Sequence, residues 1–154
     1  MISTYHKAFL SELLLAQWVG SADKNNIPDT VRSLGIVVED EYTLLFFVAE
    51  RASKRFLHNF TENKQITLAT SHPYTFEGYQ YKGEVLEIRP STAAEVKLQE
   101  AYMDVFSDGM AAFGLEKQGV TDMYLSQPTI AIRMTVNKIF DQTPKPNTGG
   151  EVHL

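Results

Sequence analysis

The sequence feature that most restricts the fold is a series of six short segments with strand-like patterns, most of them joined by short turns. The clearest is 130–136, where apolar residues alternate with Ala131, Arg133 and Thr135. The segment 43–49 is apolar throughout, which is typical of a strand buried on both faces. Short connections favour antiparallel pairing, because parallel strands need a long crossover. We therefore predict a mainly β fold, a six-stranded antiparallel barrel whose closure removes exposed edges.

The other predicted strands and the predicted helices fill most of the remaining chain. Strands are expected at 18–22, 30–39, 65–71 and 79–89, and helices at 6–17 and 53–63. A further helix follows Pro90, where Thr92 and Glu95 have the spacing of a capping box. Its predicted inner face consists of Ala94, Leu98, Ala101, Tyr102 and Val105, and Gly109 or Gly114 would end it. Residues 1–143 form one predicted domain, and 144–154, rich in Pro and Gly, form an extended arm.

Composition and missing motifs exclude several classes of function. The net charge of −5 argues against nucleic-acid and anionic-membrane partners. The chain has no Cys, and its four His show no metal-ligand spacing, so we expect no metal site. Phosphate-loop and dinucleotide Gly-rich signatures are absent. The N-terminus shows no secretion signal and no apolar run could span a membrane, so we expect a cytoplasmic protein.

A cluster of basic residues lies at the junction between a predicted buried strand and the helix that follows it. Ser53, Lys54 and Arg55 occupy the predicted first turn, where acidic residues would stabilise the helix better. Free N–H groups and basic side chains together suit a bound phosphate. The alternative is a solvated basic patch paired with Glu50 or Glu62.

Two further groups of residues are candidates for binding. Arg32 lies within a largely apolar strand, where a guanidinium needs an anion or solvent. Gln80 and Lys82 alternate with Tyr79 and Tyr81, so that polar donors and aromatic rings fall on opposite faces. For the tyrosines, packing in the barrel or an interface is the simpler explanation.

In this order, these residues resemble the FMN-binding split barrels of the pyridoxamine 5'-phosphate oxidase-like family. Gln80-Tyr81-Lys82-Gly83 resembles the family's Gln-x-Lys-Gly strand start, and Phe140-Asp141-Gln142-Thr143-Pro144 a C-terminal signature of one subgroup. The other stretches that carry the resemblance are 18–23, 27–28, 44–48, 52–55 and 59–68. The likeness covers most of the chain.

The resemblance implies a homodimer of split barrels with FMN at the subunit interface. Arg32, Ser53, Lys54 and Arg55 would hold the FMN phosphate, and Gln80 and Lys82 would lie near the flavin ring or its ribityl chain. The aromatic residues Tyr74, Phe76, Tyr79 and Tyr81, which one small barrel would struggle to bury, also fit a dimer.

The implied function is flavin-mediated hydride or electron transfer on an unknown small substrate, with no catalytic residue assigned. The chain lacks the Arg-rich C-terminal segment with which pyridoxamine phosphate oxidases hold their substrate, so another substrate is expected. A non-catalytic flavin carrier or sensor is the alternative, and a deazaflavin or haem is a third possibility.

Overall fold

Eight antiparallel strands form the body of the protein in a computed structural model, which describes residues 1–124, 127–146 and 148–152. The strands are β1 (Ala16–Ala22), β2 (Pro28–Arg32), β3 (Ile36–Val38), β4 (Thr43–Ala49), β5 (Gln65–Ser71), β6 (Gly78–Pro90), β7 (Thr129–Thr135) and β8 (Lys138–Asp141). Neighbours follow the order β2-β1-β5-β6-β7-β4-β3, and β8 pairs with β6. The mainly antiparallel β fold is confirmed, with eight strands where six were predicted.

The long strand β6 joins the two halves of this sheet. Its first part pairs with β5 on one side and β8 on the other, and its last part pairs with β7. The register shifts between Val85 and Glu87, at the change of partner. A β-bulge of this kind bends a strand and increases its twist, which allows the sheet to curl into a barrel.

The predicted strand 30–39 is two strands, because the backbone turns between them. Gly35 has a φ of +126°, which side chains disfavour, and its N–H donates to Gln17 Oε1 at 3.1 Å. The prediction also omitted β8, which is short and begins and ends on charged residues. Pairing with β6 makes this segment a strand, a tertiary interaction that its own pattern does not show.

The helices are α1 (Thr4–Leu10), α2 (Lys54–Asn59), α3 (Ala93–Gly109) and α4 (Lys117–Tyr124), with a 3-10 turn at Met110–Phe113. The prediction of one helix over 6–17 is wrong beyond Leu10. Residues Ala16 and Gln17 instead pair with β5, opposite Ser71 and Thr70. Helix α4 was not predicted, and the helix predicted over 53–63 is shorter.

Helix α3 has the predicted capping box, but a different face is buried. The Thr92 hydroxyl accepts from the Glu95 N–H, and the Glu95 carboxylate accepts from the Thr92 N–H. Leu98 is 51% exposed, and Val105 and the predicted alanines are also exposed. Tyr102 is the one member of the predicted face that is buried. The other buried residues of α3 are Glu95, Gln99, Met103, Phe106 and Ser107. Three of these five side chains are polar, which is why counting apolar residues selected the wrong face.

The core consists of two clusters on opposite sides of β4. Leu44, Phe46 and Val48 point into the barrel, and Leu45, Phe47 and Ala49 point toward α3. The prediction that 43–49 is buried on both faces is confirmed.

The segment after Pro144 folds back along β8. Phe140 forms an isolated bridge with Glu151, and the Val152 N–H donates to the Ile139 carbonyl at 2.8 Å. His153, one of the histidines considered above, lies outside the described residues. Within the described ranges, no helix has the length and apolar character needed to cross a membrane.

Candidate functional site

A cleft of about 350 Å³ lies on the outer face of β1, β5 and β6. This volume falls within the usual range for small-molecule sites. Small side chains form much of its surface, among them Gly20, Ala22 and Ala69. The remaining lining residues are Trp18, Val19, Ser21, Pro28, Thr30, Gln65, Ile66, Thr67, Gln80 and Lys82.

Strand alternation explains why small residues face outward here. Val19 and Ser21 are buried, so Trp18, Gly20 and Ala22 take the outer side of β1. On β5, Ile66 and Leu68 are buried, and the residues between them face out in the same way. Two cross-strand rows result, Gly20–Thr67–Lys82 and Trp18–Ala69–Gln80. The side chains of these two rows therefore form the floor of the cleft.

Gln80 and Lys82 are brought together at one side of this cleft, as their shared face predicted. Lys82 Nζ lies 4.8 Å from the centre of the Phe140 ring, and Gln80 is the cross-strand partner of Phe140. Such a cation–ring contact contributes about 0.5–1 kcal/mol at an exposed site and limits the positions that the ammonium occupies. A second recess of about 260 Å³ continues past Gln80 toward Gln142.

The predicted phosphate residues of α2 do not line the cleft. Ser53 is fully buried, and its hydroxyl donates to the Ala49 carbonyl at 2.7 Å instead of capping the helix. Lys54 and Arg55 are exposed. Neither takes part in an ion pair among the described residues, so the alternative pairing with Glu50 or Glu62 is not formed; Glu62 contacts Lys24 instead.

Arg32 is also turned away from the cleft. Its guanidinium carbon lies 5.2 Å from the Trp18 ring centre, 4.4 Å from that of Phe106 and 4.7 Å from that of Tyr124. The Arg32 side chain thus packs between the sheet and helices α3 and α4, with Trp18 shared between this contact and the cleft.

A polar cluster lies beneath the strand that carries Gln80 and Lys82. His6 Nδ1 is 3.0 Å from the Tyr81 hydroxyl, and the Tyr79 hydroxyl donates to Glu77 at 2.9 Å. Burial lowers the pKa of His6 and raises the pKa of Tyr81. These groups fasten α1 to β6 and so fix the strand from which the cleft donors project.

The sequence prediction missed much of the cleft surface. Trp18, Thr67 and Ala69 were not assigned as binding residues, although the alternation on β1 and β5 places them outside the barrel. Their type gave no chemical signal, because small or apolar side chains shape a site without reacting in it.

The chain matches no protein-family profile and no curated protein, but solved structures share its architecture. The H111A variant of HupZ from Group A Streptococcus matches with a TM-score of 0.55 at 18% identity, over 92% of this chain and 99% of HupZ. A candidate pyridoxamine 5'-phosphate oxidase from Lactobacillus delbrueckii matches with a TM-score of 0.55 at 10% identity, over 90% of this chain and 93% of that one. The chain has the split-barrel fold of the pyridoxamine 5'-phosphate oxidase-like proteins. The fold expected from the sequence resemblance is therefore confirmed.

A third split barrel of the same kind is an FMN-binding protein from Syntrophomonas wolfei. It matches with a TM-score of 0.51 at 8% identity, over 90% of this chain and 84% of that one. At such identities the likeness concerns the fold, so the fit of a flavin must be judged from the residues of this chain.

The residues of this split barrel fit the ring end of a flavin. The cleft is largely apolar, and Gln80 and Lys82 offer an amide and an ammonium at its side. Among the described residues, Lys82 is the one cation that lines this cleft. Lys54 and Arg55 are exposed on α2 and do not line the cleft.

Proposed function

We propose that this split barrel binds FMN and acts as a flavin-dependent oxidoreductase on a small substrate. The observation that carries the proposal is the cleft on β1, β5 and β6, whose largely apolar lining includes small residues and also Gln80 and Lys82. FMN, when bound, supplies hydride or electron transfer at its ring, and the protein supplies orientation and electrostatics.

Gln80 and Lys82 are proposed to hold the ring. The Gln80 amide can both donate to and accept from the polar edge of a flavin. The Lys82 ammonium would stabilise negative charge that develops on a ring beside it, and the Phe140 contact keeps this ammonium at the side of the cleft.

The phosphate is proposed to bind Lys54 and Arg55 in a homodimer. A dianionic group needs about two cationic partners together with backbone donors. These two side chains are exposed, lack ion-pair partners among the described residues, and lie outside the cleft of their own chain. In this proposal a second copy supplies them to the flavin, and the cofactor lies at the subunit interface.

A non-catalytic flavin carrier is the second candidate, and the composition of the cleft favours it. Among the residues that line the cleft, the one with a charged side chain is Lys82. Proton transfer by a positioned acid or base therefore has little support from the lining. Hydride or electron transfer alone does not require one, so both candidates agree with the site.

Titration with FMN and with riboflavin tests the site, because riboflavin lacks the phosphate. The double variant Lys54→Ala/Arg55→Ala should bind FMN at least about a hundredfold more weakly, since charge-assisted hydrogen bonds contribute about 1.5–3 kcal/mol each. It should bind riboflavin as the unmodified chain does. Lys82→Met should weaken the binding of both ligands. Lys97→Ala, an exposed cation on α3, is the control. Equal FMN affinity in all variants would show that the cleft and α2 are not the flavin site.

Turnover separates the enzyme from the carrier. The FMN-loaded protein is mixed with NADH or NADPH and a panel of acceptors, and bleaching of the flavin absorbance is followed. Reduction followed by reoxidation by an acceptor supports the oxidoreductase, and flavin binding without reduction supports the carrier. The absorbance spectrum and mass of the extracted native ligand would separate FMN from a deazaflavin or haem.

A further inference from the structure

A second cavity, of about 170 Å³, lies between the end of α1, strand β3 and helix α3. Among the described residues, none that lines it also lines the cleft on β1, β5 and β6 or the recess beside that cleft. Its lining is mostly aliphatic and includes Leu10, Leu13, Ile36 and Leu98. The cavity is therefore a site separate from the proposed flavin site.

One buried amide lines this cavity and keeps a free hydrogen-bond donor. Gln17 is 1% exposed, and its Oε1 accepts the Gly35 N–H at 3.1 Å. Within residues 1–124, 127–146 and 148–152, no group accepts from Gln17 Nε2. The side-chain atoms there that are both fully enclosed and unpaired belong to Arg32 and Gln99, so Gln17 Nε2 is not sealed inside the protein. This nitrogen can therefore donate to a ligand in the cavity.

Other polar groups of the lining are already bonded. The Tyr102 hydroxyl donates to the Leu15 carbonyl at 2.7 Å, and the Gly35 carbonyl accepts from the Ser33 hydroxyl at 3.1 Å. A buried water molecule needs about two to four polar partners. Because Gln17 offers one, water beside it would be poorly held, and a largely apolar molecule with one acceptor suits the cavity better.

Glu12 is the one charged residue of the lining in the described part of the chain, and it faces His72. His72 Nδ1 accepts the N–H groups of Tyr74 and Thr75, each at 3.2 Å, so the hydrogen of a neutral His72 lies on Nε2, which is 3.7 Å from Glu12 Oε2. A second anion in the cavity would be repelled by Glu12. An ammonium would leave the Gln17 donor without an acceptor. The cavity therefore favours an uncharged ligand.

The volume of the cavity limits the size of that ligand. A dry cavity of about 150 Å³ lined by apolar side chains is large enough for benzene. A single six-membered ring with one carbonyl group is of this order. Such a ring would also cover part of Leu13 and Leu98, which are 45% and 51% exposed. Removing that apolar surface from water favours binding.

We propose that this cavity binds a small, uncharged and largely apolar molecule that carries one carbonyl-type acceptor, which takes a hydrogen bond from Gln17 Nε2. The aliphatic lining supplies most of the contact, and Gln17 selects for the acceptor. The site does not depend on what occupies the cleft, so it goes beyond the proposed flavin function.

Four compounds that share one ring test the proposal by nuclear magnetic resonance. Cyclohexanone, cyclohexane, cyclohexylamine and cyclohexanecarboxylate are titrated separately at pH 7 into the full chain without FMN, and the side-chain amide signal of Gln17 is followed. This signal is identified by its absence in Gln17→Met. We expect a saturable shift with cyclohexanone and tighter binding of this ketone than of the other three compounds. No saturable shift, or tightest binding of the amine or the carboxylate, would overturn the proposal. Because FMN is absent, failure of the flavin proposal would leave this result intact.

Two variants separate the hydrogen bond from the cavity itself. Gln17→Met keeps an unbranched side chain without the amide and should lower cyclohexanone affinity about two- to tenfold, removing its preference over cyclohexane. A preference that persists in Gln17→Met would overturn the role of Gln17. Because this change also removes the acceptor of the Gly35 N–H, the second variant leaves Gln17 in place.

Ala101→Leu fills the cavity from an exposed position on α3 and should abolish cyclohexanone binding. Ala94→Leu is the matched control, because Ala94 is exposed on the same helix and does not line the cavity. This control should bind cyclohexanone as the unmodified chain does. Equal cyclohexanone affinity in Ala101→Leu and Ala94→Leu would overturn the assignment of the cavity as the binding site.

Discussion

At the scale of single residues, burial decides the charge of the groups beneath the cleft. His6 is 4% exposed and lies with Nδ1 against the Tyr81 hydroxyl, so its charged form would lose hydration. Burial accordingly lowers the pKa of His6, although Glu77 opposes the shift. The folded protein therefore favours neutral His6, and the unfolded chain binds the proton more readily. The stabilisation by His6 is present above its ordinary pKa of 6.5 and is lost as the pH falls below that value.

His6→Gln should reduce this dependence on pH. Gln can still hydrogen-bond Tyr81 but does not titrate, so its free energy of unfolding should fall less between pH 7.5 and 5.5 than that of the unmodified protein. The difference arises because the lowered pKa of His6 makes the unfolded chain take up the proton first as the pH falls. Urea unfolding at several pH values measures it. His58→Gln, at an exposed site on α2, is the control. Identical pH profiles for His6→Gln and the unmodified chain would contradict the buried neutral histidine.

At the scale of elements, local signals set helix starts, and packing set helix ends and faces. Thr92 and Glu95 correctly marked the start of α3, because a capping box is a contact within four residues. The buried face of α3 was not predictable from apolar spacing. Gln99 donates to the Ser91 hydroxyl at 3.3 Å and the Ser107 hydroxyl donates to the Met103 carbonyl at 2.6 Å, so these polar groups are buried at lower cost. The end of α1 was decided by the pairing of Ala16 and Gln17 with β5.

Glu95→Gln should destabilise the start of α3. The Glu95 carboxylate receives two hydrogen bonds from Arg89, at 2.8 and 2.6 Å, and this contact, with the Thr92 N–H, lowers its pKa from 4.5 to about 2. The stabilisation is present above pH 4.5 and is lost as the pH falls toward 2. At pH 7 the variant should lose about 1–2 kcal/mol of unfolding free energy. Urea unfolding should show this loss shrinking toward pH 3, and a loss independent of pH would contradict the ionised pair.

Gly83→Ala should destabilise the crossing of β6 between its two sets of partners. A Cβ at this position would lie 1.7 Å from the Thr135 carbonyl oxygen, so the backbone of β6 or β7 would have to move. We expect a loss of about 1–3 kcal/mol, the usual range for overpacking. Gly20→Ala is the matched control, because its Cβ would meet the nearest atom at 3.7 Å. Thermal unfolding of the two variants measures the difference, and equal melting temperatures would contradict the close approach at Gly83.

At the scale of the whole molecule, the exposed aromatic residues bear on assembly. Tyr81 is fully buried and Tyr79 half-buried, so the chain itself accommodates two of the four aromatic residues considered for a dimer. Tyr74 and Phe76 remain 46% and 63% exposed in the β5–β6 connection. Phe76 is held there at a φ of +59°, which is rare for a bulky side chain. An exposed ring in such a conformation suits contact with another molecule.

We predict that the protein is a homodimer at micromolar concentration. Light scattering should give twice the chain mass of 17.4 kDa. Phe76→Ser should weaken the dimer if this connection lies in the interface, and Tyr42→Ser, which alters a ring 54% exposed in the β3–β4 turn, should not. Sedimentation at several concentrations gives the dissociation constants. A mass of one chain for the unmodified protein would exclude the dimer and the shared flavin site with it.

The sequence by itself determined the class of fold, the strands 43–49 and 65–71, and the start of α3. It also determined that Gln80 and Lys82 lie on the same face of one strand. Each depends on periodicity or on contacts between residues close in the chain. Only the tertiary structure decided that 138–141 is a strand, that Arg32 packs under α3 and α4, and that Ser53 is buried. The physical reason is that these outcomes depend on partners far away in sequence, and local patterns carry no information about which distant groups will meet.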